Sequence, residues 1–129
     1  MSVLIISHAW VIQNMVEQIC LTCGYLAIAV RTVQEAEARL VQHGYEVVTL
    51  IVIDSSVLGE GGADLQLEAS RLLQNRIGPY SDRPIVFLGT VLQKYAILAA
   101  YPTPVPFMTM PFSPHDLMQT VQPFLLESS

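Results

Sequence analysis

The run "VVTLIVI", Val47 to Ile53, constrains the chain more than any other stretch. Within it Val48 to Ile53 reads as a strand, β-branched and apolar, that stops abruptly at Asp54 before the turn-rich "SSVLGEGG". A strand apolar on both of its faces has to be covered on both. Val3 to Ile6 and Ile85 to Leu88 read as strands of the same buried kind, Tyr25 to Val30 alternates as a further strand, and Phe107 to Met110 reads as the last. Helical patterns separate them. Trp10 to Cys23 places Ile12, Met15, Val16, Ile19 and Cys23 on one helix face, with Gly24 as its stop. "TVQE", Thr32 to Glu35, is a capping box opening a second helix that runs to Gly44. Leu65, Ala69, Leu72 and Arg76 mark a third, Val91 to Ala100 a fourth, and "SPHD", Ser113 to Asp116, caps a fifth whose buried face is Leu117, Val121, Phe124 and Leu125. Pro123 is expected to kink that helix or limit its regular part.

Five strands each followed by a helix predict an α/β fold, a parallel sheet with helices on both faces, because right-handed crossovers leave few other ways to bury the strands. The 129 residues suit a single domain spanning 1–129, with no linker, repeat or low-complexity tract, and no output domain is expected beyond Ser129. Charged residues make up only 13% of the chain against roughly 25% in an ordinary soluble protein, so part of the surface is expected to be sticky. The net charge of −5 comes from scattered acids and bases with no basic stripe, which argues against nucleic-acid binding. No apolar run approaches the roughly 20 residues of a membrane span, and "MSVLIISHAW" lacks the basic start and long apolar core of a signal peptide. A cytoplasmic location with no membrane contact is the expectation.

In parallel α/β folds ligands sit at the strands' C-terminal ends. That edge gathers Ser7 and His8, Asp54, Gly89 and Thr90, and Met110 to Ser113. Three spaced features at it, Asp54 closing an apolar third strand, "PIVFLGT" from Pro84 to Thr90 and "MPFSPHDL" from Met110 to Leu117, resemble the receiver domain of two-component response regulators over essentially the whole chain. The resemblance implies a flavodoxin-like (CheY-like) three-layer α/β/α fold with a five-stranded parallel sheet of order 2-1-3-4-5.

The chemistry that the resemblance implies needs an acidic pair after the first strand to hold Mg²⁺, an aspartate to accept a phosphoryl group, and a Ser/Thr hydroxyl and a lysine on the phosphoryl oxygens. Here Asp54 matches the acceptor, but the acidic pair aligns with Ser7 and His8, Gly89 falls at the hydroxyl position with Thr90 one residue later, and Met110 stands at the lysine. Magnesium prefers oxygen ligands, so one carboxylate plus an imidazole makes a poor site. Phosphoryl transfer depends on positioning and on neutralising developing charge, and each lost charge contact removes roughly two decades of rate. The expectation is therefore a non-enzymatic pseudo-receiver: a receiver fold kept as an interaction surface, with no cofactor and the Mg²⁺ site lost. Its partner is expected to be a protein of a signalling pathway, a histidine kinase or another regulator, or a second copy in a homodimer. The alternative is an atypical receiver accepting phosphate on Asp54 from a histidine kinase, with Thr90 as the hydroxyl.

Each singled-out residue also has a plainer reading. Asp54 is either an acceptor or a solvated strand-end carboxylate paired with His8 or a backbone amide. His8 with Asp54 offers half of a zinc or manganese site but lacks a third ligand, and Ser7, His8 and Asp54 fail as a hydrolase triad because adjacent strand residues diverge. "CLTC", Cys20 to Cys23, has redox or zinc spacing, yet it ends a helix whose dipole opposes a thiolate, and no second cysteine pair exists. "SHAWVIQN" has no glycine to cradle a nucleotide phosphate. Phe107 stands where the family carries a switching aromatic, and Pro111 is the candidate for a cis peptide bond. Tyr95, Leu98, Tyr101 and Phe107 form the candidate interaction face on the fourth helix and fifth strand, with core packing as the competing account.

Overall fold

The computed structural model describes residues 2–43, 48–59, 67, 85–100 and 105–127. In chain order they form β1 (Ser2–Ile6), α1 (Trp10–Thr22), β2 (Leu26–Val30), α2 (Val33–His43), β3 (Val48–Asp54), a 3₁₀ turn (Ser55–Val57), β4 (Ile85–Gly89), α3 (Val91–Ala100), β5 (Phe107–Thr109) and α4 (Pro114–Glu127). The helices α3 and α4 are the fourth and fifth of the sequence reading. The stretch expected to be the third, apart from an exposed helical Leu67, lies outside the described residues, as does Tyr101. Every strand pairs in parallel, in the order β2-β1-β3-β4-β5.

The two-residue period of the strands sorts the core into two layers. Leu4, Ile6, Ile51, Ile53 and Phe87 pack with Val33 and Ala36 of α2 and Ile97 of α3. Val3, Ile5, Leu50, Val52, Val86 and Leu88 pack with Val16, Ile19 and Cys20 of α1 and Leu117 and Val121 of α4. Because β1 and β3 are central strands, both of their faces are dry. Fully burying each such aliphatic chain stabilises the fold by about 1.5–3 kcal/mol.

Helix ends follow the local chemistry of the sequence closely. Gly24 has φ +82°, and its amide bonds to the Leu21 carbonyl while that of Tyr25 bonds to the Cys20 carbonyl, the paired bonds of a Schellman stop. At α2 the Thr32 hydroxyl accepts from the Glu35 amide as expected, but the Glu35 carboxylate reaches one residue further out, to the Arg31 amide. At α4 the capping is fully reciprocal: Ser113 Oγ accepts from the Asp116 amide, and Asp116 Oδ2 accepts from the Ser113 amide.

Three details refine the expectations from sequence. The helix α4 runs through Pro123 to Glu127 without stopping there. Pro123 and Gln119 are both exposed, so the carbonyl that loses its intrahelical donor faces water. The last strand ends at Thr109, leaving Met110 in the following loop. Within α3, Ile97 is fully buried in the core, as the core-packing account of this helix allows.

Candidate functional site

The C-terminal edge of the sheet divides into two halves. In the first, β1 and β3 are in register with Ile6 opposite Ile53, so the next residue on each strand, Ser7 and Asp54, also lie side by side. Their pleat phase is that of Ile5 and Val52, and the Ser7 hydroxyl donates to Asp54 Oδ2 at 2.8 Å. The other carboxylate oxygen, Oδ1, accepts from the Ser56 amide at 3.1 Å and the Ser56 hydroxyl at 2.8 Å. Asp54 thereby caps the 3₁₀ turn and is only 4% exposed. Ser7 Oγ in turn accepts from the Ala9 amide, while Gln13 Nε2 donates to the carbonyl oxygens of Ser7 and, more distantly, Val30. A closed polar network ties the end of β3 to the entry of α1.

Asp54 is therefore a buried carboxylate, not the solvated one expected, and its partners are serines and an amide; His8 is exposed and forms no hydrogen bond among the described residues. Ser7 is buried whereas His8 just after it is exposed, so the two side chains diverge.

The second half, at β4 and β5, is filled by volume. A Cβ on Gly89 would lie 2.5 Å from Gln93 Oε1, 3.1 Å from Phe107 Cζ and 3.1 Å from Ser55 Cβ. A larger residue here would have to displace the Gln93 amide and press on Phe107 and Ser55. Gln93 is held in place by reciprocal capping of α3: its Oε1 accepts from the Thr90 amide at 2.9 Å, and Thr90 Oγ1 accepts from the Gln93 amide at 3.2 Å. Thr90 is exposed, and Phe107 is half-buried with its ring packed on the core beneath. The Ser55 hydroxyl is buried and has no hydrogen-bond partner among the described residues. Met110, half-buried, packs toward α1, where Ile12, Met15, Met110, Pro111 and Phe112 line an apolar hollow of about 440 Å³. The Met110–Pro111 peptide bond is cis, and the Met110 amide donates to the Gly89 carbonyl at 2.7 Å.

The donor set is a poor fit for Mg²⁺. Among the described residues one carboxylate stands beside Ser7, both of its oxygens already accept hydrogen bonds, and the neighbouring position supplies a hydroxyl whose proton points at that carboxylate. Among the described residues no group of three His, Cys, Asp or Glu side chains comes together.

Cys20 is fully buried in the α1 layer and Cys23 is half-buried; both are free thiols. Burial above all, then the neighbouring Cys23 and Glu17, pushes the Cys20 thiol up to about 11. Desolvation is thus the dominant cause, ahead of the helix dipole invoked from sequence.

On the candidate interaction face, Tyr95 is 67% exposed and Leu98 half-buried, while Val91 and Leu92 are exposed and were not anticipated. Other participants missed from sequence had readable signals. "TVLQ", Thr90 to Gln93, has the same capping-box pattern as "TVQE", and Asp54-Ser55-Ser56 is an aspartate two residues before an amide it can cap.

No helix among the described residues is long and apolar enough to cross a membrane. No family model matches the sequence, and no curated protein matches it. Solved structures do. A putative response regulator of Chloroflexus aurantiacus superposes with a TM-score of 0.69 at 22% identity, covering 97% of each chain. The chemotaxis response regulator CheY4 of Vibrio cholerae gives 0.69 at 21% identity over 95% of this chain and 97% of its own. An orphan response regulator of H. pylori gives 0.67 at 15% identity over 97% of this chain and 96% of its own. Together with the strand order and the two-layer core, these likenesses show that the chain has the CheY-like receiver fold.

Proposed function

We propose that this chain is a non-catalytic pseudo-receiver, a signalling module that works through protein–protein contact and carries no phosphoryl switch. The observation that carries the reading is the engagement of Asp54: Ser7 and Ser56 place three hydrogen bonds on its two carboxylate oxygens, and the position beside it is a serine rather than a second acid. The packing above Gly89 supports it, since the space where a hydroxyl would meet a phosphoryl oxygen is filled by Gln93 and Phe107. Met110 adds no charge to replace what is missing. Among the described residues neither a second acid nor a cation meets Asp54, so developing charge in a phosphoryl transfer lacks a partner there.

Incubation with acetyl phosphate and Mg²⁺ followed by intact-mass measurement tests the reading. No mass gain is expected, and a stoichiometric gain abolished in Asp54→Asn would overturn it. Met110→Lys alone is expected to stay unlabelled, because Ser7 still blocks the metal. The rival, transfer from a histidine kinase onto Asp54 with Thr90 as the assisting hydroxyl, is disfavoured by the engagement of Thr90 Oγ1 with the Gln93 amide. Kinase-dependent labelling of Asp54 would establish that rival instead. A partner protein in a signalling pathway and a cytoplasmic location belong to the same proposal.

A further inference from the structure

We infer that β2 pairs antiparallel with β2 of a second copy of this chain, joining two five-stranded sheets into one across a two-fold axis at Ile28. The inference goes beyond the pseudo-receiver reading and does not depend on the state of Asp54.

The two edges of the sheet are guarded differently. The strand β5 is three residues long, with Pro106 before it and the cis Met110–Pro111 bond after it. Short length and flanking proline are common protections of an edge. The strand β2 has neither. It runs five residues in unbroken register with β1, and among the described residues no strand lies on its other side. No charged residue and no proline occurs between Glu17 and Arg31, and Leu26 is 66% exposed.

One hydrogen bond fixes where the backbone of β2 points. The Ser7 amide donates to the Val30 carbonyl, so Val30 turns its peptide groups toward β1. The N–H and C=O of one strand residue point to the same side, and the side alternates along the strand. Leu26 and Ile28 therefore also face β1, whereas Ala27 and Ala29 turn their N–H and C=O to the open edge. The outward donors and acceptors thus sit on the smallest side chains of the strand.

The sequence of the strand decides which occupant fits. Leu-Ala-Ile-Ala-Val reads large-small-large-small-large in either direction, with Ile28 at its centre. In an antiparallel pair centred there, Ala27 and Ala29 of one copy meet Ala29 and Ala27 of the other as hydrogen-bonded pairs. Ile28 meets Ile28, and Leu26 meets Val30, as non-hydrogen-bonded pairs, where side chains approach most closely. The ladder stops at Tyr25 and Arg31, whose amides already donate to the Cys20 carbonyl and the Glu35 carboxylate. Arg31 then lies across from Tyr25 of the second copy, a cation beside an aromatic ring, while the two Arg31 residues stay about 20 Å apart. An isologous contact of this kind closes at two chains and leaves no β2 edge to propagate.

Sedimentation velocity of the full chain is expected to show a monomer–dimer equilibrium in the micromolar range with no larger species. Leu26→Lys places a charge on the exposed end of the strand, and Ala27→Pro removes one outward donor per copy without touching the ladder to β1. Each is expected to weaken the dimer about tenfold or more with an unchanged circular-dichroism spectrum. Ile28→Cys sets two thiols across the axis at a Cα separation of about 4.5 Å, within disulfide range, so mild oxidation with diamide is expected to link the two copies. The parent, whose two thiols belong to the α1 layer, is expected to stay unlinked. A chain that remains monomeric at roughly 300 μM would overturn the inference. So would a dimer of parental affinity in both Leu26→Lys and Ala27→Pro, an Ile28→Cys chain that links no more than the parent, or assembly that continues beyond two chains.

Discussion

The two halves of the sheet's C-terminal edge are closed in opposite ways. At β1 and β3 an aspartate stands where the resemblance expects one, but a hydrogen-bond network engages it: Ser7 and Ser56 donate to its two oxygens, and the Ala9 amide holds Ser7 in place. At β4 and β5 the hydroxyl and lysine that the resemblance implies are replaced by Gly89 and Met110, and Gln93 and Phe107 crowd Gly89 so that a side chain there would have to displace them. The first closure is electrostatic and reversible by a change of charge. The second is steric and reversible only by removing volume. A single substitution toward receiver chemistry therefore repairs one half at most, and each half resists repair for its own reason.

Ser7→Asp attacks the electrostatic half and is expected to have the largest effect. It places a second carboxylate against the buried Asp54, where two like charges cannot both be ionised cheaply. A loss of about 3 kcal/mol or more in urea unfolding at neutral pH is expected. Because the shared site raises a carboxyl pKa in the folded state, the deficit grows as pH rises through the carboxylate range and shrinks toward pH ~4. Millimolar Mg²⁺ should recover part of the loss, since paired carboxylates are a donor set this cation accepts. A variant as stable as the parent at neutral pH without Mg²⁺ would break the claim that the network is closed.

Gly89→Ser attacks the steric half. Gln93 can swing aside, but it then abandons the Thr90 amide, and Phe107 and Ser55 must each yield a few tenths of an ångström. Overpacking and cap loss together predict a destabilisation of about 1–3 kcal/mol. In the background of Gln93→Ala, which has already vacated the space, the same substitution should be milder by about 1 kcal/mol. Full additivity of the two changes in a double-mutant cycle would show that Gln93 does not fill the position.

How much of this was legible in the sequence follows the same division. The fold was readable because strand and helix periods alternate without conflict, and because Gly24, Thr32 and Ser113 carry capping chemistry that works locally. The pairing of Ser7 with Asp54 was readable in principle from pleat phase and register, yet it requires knowing that β1 lies directly beside β3. The plug above Gly89 was not readable, because it joins residues from the 3₁₀ turn, α3 and β5, whose meeting depends on three-dimensional packing. The burial of Ile97 beside the exposed Leu92 and Tyr95 also escaped, since α3 is apolar nearly all round and its sequence does not declare which stripe faces inward.

Away from the edge, Cys20 gives a smaller test in alkali. Its folded-state pKa is raised from 9.0 to about 11, so the folded chain holds a proton that the unfolded chain has already released. That contribution is complete below pH ~9 and is lost as pH rises through about 11, so stability should fall with pH across this window. Cys20→Ala should flatten the slope while lowering stability at neutral pH through the cavity it leaves. An unchanged slope would mean that the thiol is reached by water.

The smallest expected effect lies at the entry of α4, and it sharpens the contrast because this cap is local and solvent-exposed whereas the Asp54 network is long-range and buried. Backbone and side-chain hydrogen bonds from Ser113 hold the Asp116 carboxyl below its ordinary value. A depressed acid contributes stability that is present above its unfolded pKa and disappears as pH falls through the folded one. Asp116→Ala should therefore differ from the parent most at neutral pH, with the two unfolding midpoints converging as pH drops through the carboxylate range. Ser113→Ala should reproduce that convergence, because the two residues cap each other. Asp54→Asn should behave differently, altering the stability of β1 and α1 together in hydrogen exchange because its network joins those elements. If exchange slowed or quickened only in the 3₁₀ turn, Asp54 would be as local a cap as Asp116, and the distinction between the buried network and the exposed cap would fail.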